Sequence, residues 1–90
     1  MTDVIVVTMQ DGREFWLLAH GIGAEARQQS IEQIEGVRGP LPKSLGLKKR
    51  QSDEPEFWTS GDQITEIVAG QGEVTPTSPP LYQWRLREMP

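Results

Sequence analysis

The ninety residues contain no cysteine and a single histidine, His20. The first absence removes disulfides, thiolate zinc sites and cysteine nucleophiles together, and the second leaves no histidine pair for a metal. A secreted domain of this size commonly needs disulfide staples, so the expected compartment is the cytoplasm. Long apolar runs are missing as well. The run 4–7 is preceded by Asp3 instead of basic residues and does not read as an export signal. It falls far short of the roughly 20 residues that span a bilayer, so no membrane association is expected.

Large rings are scarce: Phe15, Trp16, Phe57, Trp58, Tyr82 and Trp84 are all there are. A chain this short supports one domain, 1–90, with one small core. The net charge of −4 argues mildly against unspecific binding of polyanions. Its distribution says more. Five basic residues, Arg38, Lys43, Lys48, Lys49 and Arg50, occur at 38–50 with no acid among them; the rest of the chain, thirteen acids against four bases, carries −9.

Residues 4–9 are dense in β-branched side chains and predict a strand covered on both faces. Asp11-Gly12 then signals a hairpin, in which a two-residue turn needs positive φ at both positions, and the second strand runs over 14–19. Gly21-Ile22-Gly23 breaks that strand. The segment 24–35 reads as a short helix, with Ala24, Ala26, Ile31 and Ile34 apolar, Glu25 in the first turn and Gly36 placed as a C′ residue. Ile22 and Val37 are expected to fold back at its two ends. A basic Pro/Gly-rich loop follows over about 38–55, in which Leu41, Leu45 and Leu47 could face inward from a hidden helical turn.

A second hairpin or bent strand occupies 56–69, where Ile64 and Ile67 break strict alternation and admit a bulge or a helical turn. A Pro/Ser/Thr-rich loop spans about 72–80, and 81–86 favours a last strand. The expected fold is therefore α+β: a small antiparallel sheet of four or five strands, curling toward a partly open SH3-like barrel, with one short helix between strands 2 and 3. Its expected core is Val4, Val6, Leu17, Ile31, Ile34, Ile64 and Ile67.

No motif calls for a cofactor or a metal. Gly21-Ile22-Gly23 before a helix resembles part of a phosphate-cradling loop, but the dinucleotide fingerprint is incomplete and a plain strand-to-helix turn explains it. Asp53, Glu54, Glu56 and Asp62 lack calcium-loop spacing. Pro79-Pro80-Leu81-Tyr82 fits the pattern read by WW domains, yet four residues also describe a stiffened lead-in to the last strand. His20 could serve a small hydrolase only if a hydroxyl and a carboxylate joined it.

The doubled Phe-Trp pairs carry most interest. Strand neighbours point to opposite faces, so one member of each pair is expected outside the core. An exposed Trp near arginines is a natural interface anchor, which makes Trp16, Trp58, Trp84, Arg85 and Arg87 the candidates for partner binding. Arg38, Lys43, Lys48, Lys49 and Arg50 are the candidates for anions or nucleic acid. The leading expectation is a non-catalytic module acting on a larger protein, as small accessory, regulatory or mobile-element-encoded inhibitory proteins do. A nucleic-acid or phosphate-binding module using the basic stretch comes second, and a hydrolase around His20 third.

Overall fold

The computed structural model describes residues 2–39, 43–72, 75 and 77–88. Six strands form one mixed sheet: β1 (Thr2–Met9), β2 (Glu14–Leu18), β3 (Lys43–Lys49), β4 (Phe57–Ser60), β5 (Ile64–Gly72) and β6 (Leu81–Glu88), in the order β4-β3-β6-β2-β1-β5. One helix, α1 (Ala24–Glu35), stands between β2 and β3 as expected, and runs into a 3₁₀ turn, η1 (Gly36–Arg38). A second 3₁₀ turn, η2 (Gly61–Gln63), leads into β5.

The sheet differs from the expected one in strand number and in polarity. Residues 43–49 are not loop but strand β3, flanked by β4 and β6, both antiparallel to it. Leu45 and Leu47 are fully buried from that strand rather than from a helical turn, while Leu41 lies outside the described residues. The sixth strand pairs parallel with β2, with Trp16 opposite Leu81 and Leu17 opposite Tyr82. Parallel neighbours need a long crossover, and here everything from α1 to β5 intervenes.

The opening hairpin turns on Gly12 alone, whose φ is 90°. Gly12 N–H donates to Met9 O and Met9 N–H to Arg13 O, a turn closed by a left-handed glycine, so Asp11 is spared the positive φ that a two-residue turn demands. The Asp11 carboxylate instead accepts the Arg13 N–H at 3.0 Å and the Arg13 Nε–H at 2.6 Å. The backbone hydrogen bond from Arg13, more than its guanidinium, holds the Asp11 carboxyl below the usual carboxylate range.

Alternation sorts the strands into two faces. Ile5, Val7, Met9, Phe15, Leu17, Leu45, Leu47, Tyr82 and Trp84 form the core with Ile34 and Val37, and Ile31 and Ile67 pack on its margin. Val4 is buried on the opposite face and Val6 is half-buried there, so β1 turns toward the helix the alternate set from Val6. Ile64 and Ile67 both reach the core because the β1–β5 register shifts between Thr8 and Met9, the bulge their spacing admits. Gly36 does not end α1 in a left-handed conformation: its φ of −61° continues the turn into η1, which carries Val37 into the core. Ile22 does not fold back. It is 97% exposed between two positive-φ glycines, Gly21 and Gly23.

The sheet is rolled toward α1. Phe57 on β4 and Phe15 on β2 lie three strand spacings apart, about 14 Å in a flat sheet, yet their ring centroids are 5.8 Å apart. Tyr82 closes the cluster edge-on to both rings. The roll stays open, with β4 and β5 as free ends of the strand order. No helix among the described residues is long and apolar enough to cross a membrane.

Candidate functional site

The face of the sheet turned away from α1 gathers four of the five residues expected to bind a partner, Trp16, Trp58, Arg85 and Arg87. Register places Trp58 of β4 opposite Gly46 of β3, and Gly46 opposite Arg85 of β6; one step along, Ser60, Ser44 and Arg87 form the next row. The indole of Trp58 lies down across Gly46. A Cβ at that glycine would come within 2.9 Å of the indole's six-membered ring and 2.8 Å of a Glu56 carboxylate oxygen, so only glycine leaves the ring this bed. Two guanidiniums lie over the indole: Arg87 Cζ is 3.9 Å from the ring centroid and Arg85 Cζ 5.2 Å. Each such contact at an exposed site contributes about 0.5–1 kcal/mol.

Glu56 accepts the Arg85 Nε–H at 2.8 Å and so fixes one of the two cations. Among the described residues no carboxylate pairs with Arg87. Its side chain is exposed and its Cζ sits over the Trp58 ring. Lys48, on the same face of β3 and exposed, adds a third positive charge against the single acid Glu56. A guanidinium already resting over an indole has less freedom left to lose on binding, and its fork of N–H donors matches a carboxylate. The patch is thus a basic, aromatic surface on a chain whose net charge is −4.

Trp16 occupies the same face on β2, half-buried in a row with Val6 and Val68. It stands three strands across and four residues along from Trp58, roughly 20 Å. That is too far for one pocket and within the span of one protein interface, which covers about 800 Å² per partner. Trp84 is elsewhere. It is 5% exposed on the helix side, its indole N–H donates to Leu18 O at 2.6 Å, and His20 stacks on it with centroids 3.7 Å apart. Neither Trp16 nor Trp58 is fully open to solvent; the exposed ring is Phe57, at 39%.

The basic residues of 38–50 do not converge. Arg38 pairs with Glu35, Lys49 pairs with Glu54 on the helix side of β3, Lys43 points to that side as well, and Arg50 follows the strand beside Pro79 and Pro80. Only Lys48 joins the Trp58 face. Strand alternation divides the set, and that division was hidden while the segment read as loop.

His20 is tied to structure. Its backbone N–H donates to the buried Ser30 Oγ at 2.9 Å, and its Nε2 lies 3.2 Å from Trp84 O. The serine hydroxyl thus serves the main chain, and the imidazole's partner is a carbonyl rather than the carboxylate that a relay requires. Tyr82 of the Pro-Pro-x-Tyr stretch is buried against Phe15 and Phe57, where a reading domain could not reach it without unwinding β6. Glu54 and Glu56 are held in ion pairs, and no cluster of metal-ligating side chains occurs among the described residues.

Gly46, Glu56 and Lys48 belong to the patch and were not legible as such, because each depends on the register of β3. The one signal available was the alternation of Ser44, Gly46 and Lys48 with Leu45 and Leu47. No protein-family model, curated protein or solved structure matches the chain.

Proposed function

We propose that this protein is a non-catalytic binding module that docks an acidic surface of a larger protein through the helix-free face of its sheet, in an accessory, regulatory or inhibitory role in the cytoplasm. The observation that carries this reading is Trp58, bedded on Gly46 and covered by two arginines, one of which pairs with no carboxylate among the described residues. Trp and Arg are the side chains that most often dominate interface energies, and here they come preassembled. Trp16 and Val6 extend the same face with apolar area.

The test is capture from nuclease-treated native lysate with tagged wild type, Trp58→Ala and Arg87→Gln, each shown to be folded by its circular dichroism. A protein retained by wild type should be lost with Trp58→Ala, a weakening of about 2 kcal/mol or more, roughly 30-fold. The melting temperature should move little, because Trp58 lies outside the core cluster. Capture that disappears on nuclease treatment would instead favour nucleic acid, and an unchanged capture by Trp58→Ala would remove the face from the account.

A further inference from the structure

The strand order ends on β5, and that end is unusually open. β5 spans nine residues, Ile64–Gly72, and among the described residues pairs with β1 alone. Among the described residues no backbone hydrogen bond reaches its outer side. The opposite edge, β4, has four residues and follows Pro55 closely. Proteins blunt long edges with lysine, proline or short length, and β5 has none of these. Its one irregularity, the bulge beside Thr65, sits at its start and leaves the strand regular from Glu66 onward.

The side chains along β5 say what fits that edge. On the helix-free face, Trp16, Val6 and Val68 stand side by side across β2, β1 and β5, and this apolar row stops at the edge with Val68 43% exposed. The only charged residue of the strand is Glu66. When the strand is paired antiparallel with its own copy about Val68, Val68 meets Val68, Ile67 meets Ala69, and Glu66 meets Gly70. No like charges are opposed, and the row continues through both copies as Trp16, Val6, Val68, Val68, Val6, Trp16. A register centred on Glu66 would set two carboxylates face to face, which is destabilising.

We propose that the protein forms a two-fold dimer in which β5 pairs antiparallel with β5 of a second copy, centred on Val68, joining the two sheets into one of twelve strands. The occupant is a second copy because the strand is complementary to itself in charge and in apolar row. The inference stands apart from the Trp58 patch, since β4 and β5 are opposite ends of the sheet.

The absence of cysteine makes the test direct, as each introduced thiol is the only one present. Directly opposed residues of an antiparallel pair have Cβ atoms about 4.5–5.5 Å apart, close to what a disulfide accepts. Val68→Cys should therefore oxidise to a covalent dimer. Glu66→Cys should remain monomeric under the same oxidation, because its two copies would be four residues out of register, about 13 Å apart. In sedimentation, wild type should show twice the monomer mass at high concentration. Val68→Lys, an exposed substitution that keeps the circular dichroism of the fold, should show the monomer mass throughout. A wild type that stays monomeric across the accessible range, equal cross-linking of Glu66→Cys, or a dimeric Val68→Lys would each overturn the proposal.

Discussion

Gly61→Ala is expected to remove a large part of the fold's stability. Gly61 opens η2 and is buried against η1, where a Cβ would stand 2.1 Å from Val37 O and 2.7 Å from both Val37 C and Cβ. The obstacles are chiefly main chain, so no rotamer change relieves them. The two 3₁₀ turns would have to part, although η1 carries Val37 into the core and η2 sets the start of the bulged strand β5. Overpacking a well-filled core costs about 1–3 kcal/mol and sometimes more. A backbone clash this close belongs at or above the upper figure, against a total stability of about 0.05–0.15 kcal/mol per residue. Urea unfolding should show a midpoint lowered by about 2 M or more, since m is about 1 kcal/mol/M for a small domain. Gly70→Ala is the control. Its Cβ would meet only Val4 Cγ2, at an ordinary 3.9 Å, and the midpoint should barely move. A Gly61→Ala midpoint equal to that of wild type would mean that the two turns do not touch as described.

The second large effect separates two tryptophans that look alike in sequence. Trp84→Ala is expected to destabilise the fold by about 3–5 kcal/mol, the usual cost of removing a large buried ring. The change empties the space opposite Leu47, strips His20 of its stacking surface and leaves Leu18 O without the indole donor. For a domain of this size the melting temperature should fall by about 15 °C or more. Any partner binding would then be lost through unfolding, so Trp84 is a packing residue and not the interface anchor its neighbours Arg85 and Arg87 suggested. Trp84→Phe should recover much of the loss by refilling the volume without restoring the hydrogen bond. A Trp84→Ala melt within a few degrees of wild type would contradict the burial.

What could be read beforehand was local. Glycines at 21, 23 and 36 bracket α1, whose bounds follow the expected ones, and of the bulge or helical turn that the uneven spacing of Ile64 and Ile67 admitted, the pairing with β1 shows a bulge. Alternation within β6 put Arg85 and Arg87 opposite Trp84 without any structure. What failed was non-local. In β1 both alternate sets are apolar, so periodicity alone could not say that Ile5, Val7 and Met9 face α1. β3 was concealed by its composition: Gly46 and the basic run 48–50 look like loop, whereas Gly46 is there because the Trp58 indole lies on it. The parallel pairing of β2 with β6 joins segments more than sixty residues apart, and no pattern within either strand announces it. The candidate site shares this limit, because Trp58, Gly46, Arg85 and Arg87 become neighbours only through the register of three strands.

Two tryptophans lie on the helix-free face and one in the core, and Trp58 is the proposed point of contact. The three indole N–H resonances, observed by nitrogen-correlated NMR during titration with a poly-glutamate peptide, test it most directly. A slowly exchanging Trp84 signal, protected by Leu18 O, is expected, with faster exchange at Trp16 and Trp58. The acidic peptide should shift Trp58 and leave Trp84 in place, with the shift abolished in Arg87→Gln. A Trp58 signal indifferent to the peptide would rule out Trp58 as the contact, and a Trp84 signal that exchanges as fast as the other two would rule out its burial.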